Sequence, residues 1–425
     1  MWPRFVRLPD NLLHIFHKIN ITSSYYHVKW WRRVRCHPRT LESFLSVFDV
    51  HPFATPANAT ALREEVRAFL AANLPAGGKD RHTNCWAVGN PEFSRKLGAA
   101  DFIGMLWPRK YGGHERDATE RYIVLEELLA AGAPVGSHWI SDRQTGPLLL
   151  KYGTEAQRNK YLPGMARGEL FACIGLSEPG SGSDLASIRT SATRTDKGWR
   201  LDGQKVWTTN AHDASVMLAL VRTEAGSKRQ QGLSQFLVDL DLPGVEVRPI
   251  IDLVGHHEFN EVFFDGVEVP DGALIGEEGN GWAQATAELA LERSGPERYL
   301  SSHVLLAALI DIAGPDPDPV VAATIGRLTA EMWTLRQMSM SVAAKLAAGK
   351  DPTVEAAVVK DLGNSYEQSL PVVIQAALGD EATLADGSEL ADMLAMLLQT
   401  SPSFSLRGGT REIMRAIIAR GLGLR

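Results

Sequence analysis

The chain has 425 residues, enough to bury large hydrophobic cores, and this length predicts two or three domains. Its formal net charge of −6 gives no electrostatic basis for nucleic-acid binding, and no apolar run is long enough to predict a transmembrane segment. The three cysteines, Cys36, Cys85 and Cys173, are too few and too scattered for a disulfide framework or a cysteine zinc site, and they suit a reducing compartment.

The first 57 residues differ in composition from the rest of the chain. Basic side chains outnumber acidic ones there, and aromatic side chains are dense, including Trp2, Trp30 and Trp31. A transit peptide is one interpretation, but such peptides are usually rich in serine and poor in acids. We favour a poorly ordered extension over residues 1–57, placed before the packed domains.

Residues 58–170 show helical periodicity. Residues 61–70 place four apolar side chains on one helical face, and a second helix is predicted over 118–131. Thr154 followed by Gln157 is typical of a capping box at the start of another helix. This part is predicted to be an N-terminal helical domain.

The period changes over residues 171–275. Residues 199–207 predict two strands around an Asp202-Gly203 turn. Short apolar runs predict further strands at 216–221, 235–240 and 261–269. Strands without intervening helices indicate a small β domain.

Residues 276–425 return to alanine- and leucine-rich segments with helical spacing, for example 320–348 and 389–398. The order α, β, α indicates an α+β protein. Its expected parts are an N-terminal α-helical domain, a central small β-barrel-like domain and a C-terminal four-helix-bundle domain.

Two segments of the β domain have the composition of a ligand site. Residues 178–184 read Glu-Pro-Gly-Ser-Gly-Ser-Asp, and residues 205–210 read Lys-Val-Trp-Thr-Thr-Asn. Gly180 and Gly182 let the backbone turn its N–H groups toward an anion or a heteroaromatic edge. The Trp207 ring can stack on another ring, and threonine hydroxyls can bond heteroatoms. Together they predict a pocket for a flat cofactor with a phosphate tail, although the first segment alone is also typical of an ordinary turn.

The pair of segments resembles the flavin-binding signature of the acyl-CoA dehydrogenase family, typically TEPGAGSD followed by KxWITN. Further family-like segments occur in the expected order at 106–113, 151–157, 260–267 and 408–413, and the resemblance covers residue 58 onward. It implies FAD as cofactor. By resemblance, Ser177, Gly182 and Ser183 contact the isoalloxazine or pyrophosphate, Trp207 and Thr209 lie against the ring, and Ser183 also lies where the family meets its CoA ester.

The resemblance also implies a reaction. Family members oxidise an acyl-CoA thioester to the 2-enoyl-CoA and pass the electrons to an electron-transfer flavoprotein. A carboxylate removes the α proton, and burial raises its pKa toward the working pH so that it becomes an effective base. Hydrogen bonds to the thioester carbonyl stabilise the enolate-like charge.

The chain departs from the family at the usual base. Most members carry it in a C-terminal YEGT segment, whereas residues 406–410 here read Leu-Arg-Gly-Gly-Thr. Either Arg407 or Gly408 therefore occupies the place of the base, depending on the alignment, and matching the Gly-Thr pair selects Gly408. A glycine has no side-chain proton acceptor, so the usual base is absent.

A minority of the family carries the base on a helix, in a segment like LDLER. Residues 289–293 read Leu-Ala-Leu-Glu-Arg, so Glu292 falls on the base and Arg293 on the arginine that faces the CoA moiety. The alternative is that Glu292 is an ordinary surface residue, because Glu-Arg pairs are common on helices. Glu288, one turn earlier, is the second candidate for the base.

Two segments that family members use to hold the FAD of a neighbouring subunit are altered. The R-x-x-F-G segment is missing, and the glycine-rich LGGxG segment is degraded at residues 376–380. A hetero-oligomer with a paralogous subunit is therefore expected, an α2β2 assembly with fewer flavins than chains. The alternative is a homo-oligomer in which other residues substitute.

Two other functions stay open at this point, a non-catalytic partner subunit and an oxygen-using flavin relative. Altered base placement often goes with branched or bulky acyl groups in this family, so the resemblance implies a sterol side chain or a branched-chain ester as the acyl group. The expected compartment is the bacterial cytoplasm, or the mitochondrial matrix in a eukaryote. His256, His257 and Glu258 adjoin one another, but their spacing is not that of a helical zinc site, so no metal is expected.

Overall fold

The computed structural model describes residues 55–76, 83–291, 293–379 and 388–424. Residues 1–54 of the extension and the candidate base Glu292 lie outside these ranges. Within the described part, one helical region precedes the sheet in the sequence and a second helical region follows it. The predicted α+β order of a helical, a β and a second helical region is confirmed.

The N-terminal region is helical, as predicted. Asp117 and Thr154 start their helices with full capping boxes, the latter with Gln157 as the sequence indicates. Its helices are α1 (Ala59–Asn73), α2 (Pro91–Ala99), α3 (Ala118–Ala130), α4 (Gly136–Ile140), α5 (Gly146–Tyr152) and α6 (Glu155–Ala166). A buried π-helical turn, Ser141–Thr145, joins α4 to α5.

The central region is a seven-stranded mixed sheet with the order β1-β4-β2-β3-β7-β6, and β5 pairs with β4. Its strands are β1 (Ala172–Gly175), β2 (Ser191–Thr195), β3 (Gly198–Thr209), β4 (Val216–Arg222), β5 (Leu233–Asp239), β6 (Val245–Ile250) and β7 (Phe259–Val269). The long strands β3 and β7 pair antiparallel along most of their length. The second candidate segment, residues 205–210, lies at the end of β3.

The prediction of a turn at Asp202-Gly203 is wrong. Both residues lie inside the single strand β3, where the register against β7 shifts between Leu201 and Gly203. Gly203 has φ +145°, and the Asp202 carboxylate accepts a hydrogen bond from the Gly266 N–H at 2.9 Å. A turn dipeptide also fits a β-bulge, because both need backbone that L side chains adopt poorly.

The C-terminal region is helical again. Its helices are α7 (Gly281–Leu291), α8 (His303–Ala313), α9 (Pro319–Ala347), α10 (Thr353–Leu378), α11 (Glu389–Thr400) and α12 (Arg411–Gly421). The connection from α7 to α8 is irregular yet buried, from Arg293 to Ser302. Because buried backbone must find partners, helix α10 supplies one, and Glu367 accepts the Ser301 N–H at 2.7 Å.

The largest hydrophobic core joins the two helical regions. It includes Leu62 and Val66 of α1, Leu128 of α3, and Leu370 and Ile374 of α10. The sheet has a separate core around its buried strands. The two helical regions therefore share one core, which is separate from the core of the sheet.

Candidate active site

The loop at residues 178–184 is closed by its own backbone. The N–H of Glu178 donates to the Ser181 carbonyl at 3.0 Å, and the Ser181 N–H donates back to the Glu178 carbonyl at 2.9 Å. A Cβ atom at Gly180 or Gly182 would meet no protein atom within 4 Å. Gly182 and Ser183 are exposed, so the space over this loop is open to a ligand.

The two candidate segments are brought together by three bonds. The Val206 N–H donates to the Ser177 carbonyl at 3.0 Å. The Lys205 ammonium group donates to Oε1 of Glu178 at 2.8 Å and to the Leu176 carbonyl at 3.3 Å. The loop with Ser177 and the strand with Trp207 thus form one surface.

The ion pair between Lys205 and Glu178 is buried. Burial lowers the pKa of Lys205 to about 8, against the opposing effect of the carboxylate. Burial alone would raise the pKa of Glu178, but Lys205 and the N–H groups of Arg189 and Thr190 lower it overall. Both groups therefore carry their charges at neutral pH.

Trp207 presents its ring to solvent. Its side chain is 59% exposed, although it lies between the buried residues Val206 and Thr208. Its φ of +59° is a left-handed value that a bulky residue rarely adopts, at a register shift between β3 and β7. Phe259 contacts the indole edge-on, with the ring centres 5.9 Å apart. An exposed, supported ring is suited to stacking on a flat ligand.

The residues around this surface suit a flavin. Thr208 buries a hydroxyl that has no hydrogen-bond partner among the described residues, and Thr209 is half-buried beside it. The open, glycine-containing loop, the indole face and the threonines match the polar edge, ring and phosphates of such a cofactor. Ser177, Gly182, Ser183, Trp207 and Thr209 are the residues that would hold it.

The two alternative segments for the base meet in space. Nε of Arg293 donates to the Gly408 carbonyl oxygen at 3.5 Å, and Arg293 is buried. Gly408 and Gly409 have φ values of +64° and +96°, which favour glycine. The chain thus brings the residue after Glu292 against the segment where most members carry their base.

The Arg407 guanidinium is largely buried and contacts two aromatic rings and two polar side chains. Its guanidinium carbon lies 4.3 Å from the Trp86 ring centre and 4.2 Å from that of Phe404. Nη1 donates to Oδ1 of Asn84 at 2.7 Å, and Nη2 lies 4.0 Å from Oε2 of Glu367. A largely buried cation, with 14% of its side chain exposed, therefore occupies the region where the family usually has a carboxylate.

Sequence reasoning did not find the buried polar face of α10. Lys360, Asn364 and Glu367 have no exposed surface, and their spacing places them on one side of the helix. Lys360 donates to the Gly409 carbonyl. The spacing of these three residues can be read from the sequence. Other polar residues occupy the remaining sides of the same helix, so the sequence alone does not single out this face as buried.

Across the ranges 55–76, 83–291, 293–379 and 388–424, no group of three or more His, Cys, Asp or Glu side chains could hold a metal ion. His257 instead stacks on His212 with the ring centres 3.9 Å apart. No helix in the described part of the chain is long and apolar enough to cross a membrane.

Comparison with protein-family models gives three successive matches. They are the N-terminal domain of acyl-CoA dehydrogenase at residues 56–169, the middle domain at 173–267 and the C-terminal domain at 315–423. The chain belongs to the acyl-CoA dehydrogenase family. Members of this family are FAD-dependent oxidoreductases that act on acyl-CoA, and the open surface around Trp207 fits that cofactor.

Individual acyl-CoA dehydrogenases resemble almost the whole chain. Acyl-CoA dehydrogenase IpdE1 of Mycobacterium tuberculosis is 34% identical over 383 residues, which are 85% of this chain and 97% of that protein. The structure titled Tcur3481-Tcur3483 steroid ACAD has a TM-score of 0.79 at 28% identity and covers 89% of this chain and 99% of its own. The ChsE4-ChsE5 complex from Mycobacterium tuberculosis has a TM-score of 0.76 at 27% identity and covers 88% and 99%.

Proposed function

We propose that the protein oxidises an acyl-CoA thioester to the 2-enoyl-CoA, with the electrons passed to an electron-transfer flavoprotein. When bound, FAD supplies the acceptor for the β hydride of the substrate. Ser177, Gly182 and Ser183 bind its polar edge and phosphates, Trp207 and Thr209 orient its ring, and Ser183 also contacts the CoA ester.

Glu292 removes the α proton in this proposal. The contact that supports it is the one between Arg293 and Gly408, because it joins the segment of Glu292 to the loop that has lost the usual base. Neither Gly408 nor Gly409 has a side chain that could accept a proton. Arg407 has a guanidinium whose pKa burial lowers to about 10, so it stays protonated at neutral pH and is no base.

Arg293 binds the CoA moiety in the same proposal. Its burial and its hydrogen bond to Gly408 hold the guanidinium in place, and Arg293 directly follows Glu292 in the sequence. A fixed arginine can position an anionic group without losing much side-chain entropy. The proposed base Glu292 and the proposed CoA-binding residue Arg293 are adjacent in the sequence, so a change in the position of one would affect the other.

The test of the base is Glu292→Gln, which keeps the shape of the side chain and removes its basicity. Turnover should fall by about two to four orders of magnitude, the usual contribution of a general base, while FAD still binds. Glu277→Gln is the matched control, because Glu277 is exposed ahead of α7. Near-normal turnover of Glu292→Gln would transfer the role to Glu288, tested by the same substitution, or to a partner chain.

The acyl group that we propose is sterol-derived or branched. The displaced base supports this, as does the likeness to a structure titled a steroid ACAD. The CoA ester of a sterol side chain should be oxidised with a higher kcat/KM than palmitoyl-CoA. The opposite order would assign the protein to straight-chain substrates.

A hetero-oligomer with a paralogous subunit is the proposed assembly. The missing R-x-x-F-G segment supports it, since the donor side of the cofactor site would come from the partner. The solved relatives include one described as the ChsE4-ChsE5 complex. We propose a bacterial cytoplasmic location, because the few cysteines of the chain suit a reducing compartment.

A further inference from the structure

Arg407 is the centre of a polar contact that joins three regions of the chain. Its Nη1 donates to Oδ1 of Asn84 at 2.7 Å, and Nδ2 of Asn84 donates to Oε1 of Glu258 at 3.1 Å. Arg407 lies in the loop before α12, and Asn84 lies in the helical N-terminal region. Glu258 is the residue directly before β7. One side-chain amide therefore links the C-terminal loop to the sheet.

The sheet end of this link leads to Trp207. The backbone carbonyl of Glu258 accepts the Asn210 N–H at 2.8 Å, and the next residue, Phe259, pairs with Thr209. Phe259 also supports the Trp207 ring edge-on. A shift of Glu258 would thus be transmitted directly to the exposed indole.

The other end leads to the segment of the proposed base. Gly408 follows Arg407, and its carbonyl accepts the hydrogen bond from Arg293, the neighbour of Glu292. Two left-handed glycines make this loop easy to deform, so its course depends on side-chain anchors. Arg407 is held between the Trp86 and Phe404 rings and is such an anchor.

We propose that Arg407 is a positioning residue that, through Asn84 and Glu258, fixes the separation between the Trp207 ring and the contact of Arg293 with Gly408, next to the proposed base in the sequence. The inference rests on the proposed function, because α-proton removal and β-hydride loss require the base and the ring-binding surface at a set distance across one carbon–carbon bond. Displacement by about 1 Å at such a site can cost a hundredfold in rate.

The energetics separate this role from a structural one. Removing one partner of a buried ion pair is destabilising when it leaves the other charge buried without compensation. Burial already raises the pKa of Glu367 to about 7, and the nearby Arg407 opposes that rise. Removing Arg407 would raise the pKa of Glu367 further, so Glu367 would become neutral rather than remain an unpaired buried charge.

The variant that tests the inference is Arg407→Met, whose side chain fills the slot between the two rings. In the assembly that shows acyl-CoA-dependent flavin reduction, kcat should fall by about 10- to 100-fold with KM unchanged. Flavin content and the unfolding midpoint should stay at the parent values. Arg415→Met is the matched control, because Arg415 lies on α12, is largely exposed and pairs with Asp361 of α10 at 3.4 Å.

A second variant, Asn84→Gly, removes only the bridging amide. Glycine suits the φ of +55° at this position, so the backbone is not strained. Its kcat should fall as in Arg407→Met, and the double variant should be no slower than the worse single one. Hydrogen exchange of the Asn210 amide should rise in both variants, before any substrate is added.

Three results would overturn the inference. The first is equal turnover of Arg407→Met and Arg415→Met. The second is a double variant in which the effects of Arg407→Met and Asn84→Gly on kcat add in full. The third is loss of flavin and a lower unfolding midpoint in Arg407→Met, which would make its role structural. A parent assembly that leaves the flavin oxidised with every acyl-CoA overturns the proposed function itself, and this inference with it. A parent that is active separates the two cases.

Discussion

The ammonium nitrogen of Lys205 lies 2.8 Å from Oε1 of Glu178, and this buried pair fastens the strand of Trp207 to the loop of Gly182. The same carboxylate accepts the N–H groups of Arg189 and Thr190 at 2.6 and 2.9 Å. One side chain therefore connects both candidate segments. The connection between the two candidate segments therefore depends on one buried ion pair.

Removing the cation of this pair should damage both stability and cofactor binding. In Lys205→Met the Glu178 carboxylate stays buried without its partner, which typically costs about 3–5 kcal/mol. Urea unfolding should show the loss, and the purified protein should carry less FAD. Lys228→Met, which removes an exposed ammonium group, is the control. Equal unfolding free energies for both variants would mean that the pair is dispensable.

The exposed ring of Trp207 should matter for cofactor retention and little for folding. In Trp207→Ala the loss of stacking should weaken FAD binding by about 1 kcal/mol beyond the lost contact area. Dialysis followed by the flavin absorbance of the retained protein measures this. Ile312→Ala removes a similarly exposed apolar side chain on α8 and should leave the absorbance unchanged. A parent protein that stays colourless after FAD reconstitution would refute the flavin assignment.

His138 predicts a stability loss in acid. Burial lowers its pKa to about 4, with a smaller opposing effect of Asp142. Between that value and the unfolded pKa of 6.5 the unfolded chain binds the proton and the folded chain does not. His138 therefore does not reduce the free energy of unfolding above pH 6.5. As the pH drops from 6.5 to 4, the free energy of unfolding falls by about 3 kcal/mol because of this group.

The measurement is urea unfolding at several pH values for the parent and for His138→Gln. Glutamine can keep a hydrogen bond to Ser94, whose Oγ lies 2.8 Å from Nδ1 of His138, but it does not titrate. The parent should lose more stability than the variant between pH 6.5 and 4. Parallel curves would show that His138 is solvated in the folded state.

The composition of the assembly is a fourth test. Co-expression with a paralogue that retains the R-x-x-F-G segment should give a complex with fewer FAD molecules than chains. Charge-assisted hydrogen bonds to the cofactor, typically worth about 1.5–3 kcal/mol each, would come from that paralogue. Mass measurement with flavin quantitation decides the matter. A fully active preparation of this chain alone, with one FAD per chain, would establish a homo-oligomer.

Local patterns predicted what depends on neighbours in the chain. The capping box at Thr154, the two candidate segments and the order of the three regions follow from short spacings and periodicity. The Asp202-Gly203 prediction was wrong because one dipeptide suits both a turn and a bulge, and only the pairing with β7 decides between them.

Contacts between distant residues could not be predicted in this way. Arg407 and Asn84 are 323 positions apart, and Asn84 and Glu258 are 174 apart. Glu258 drew notice only beside two histidines, as a neighbour of a rejected metal site. Its link to Asn84 requires the packed tertiary structure, and no periodicity encodes it.

The left-handed backbone at Trp207 lowers the stability of the chain at a residue of the proposed cofactor site. Left-handed φ costs an L side chain about 1–2 kcal/mol, and glycine avoids this cost. A directed-evolution screen for heat resistance in the absence of cofactor would therefore enrich Trp207→Gly. Such a screen would select sturdier molecules that have lost the ring, so thermostabilisation of this enzyme should be carried out on the loaded assembly.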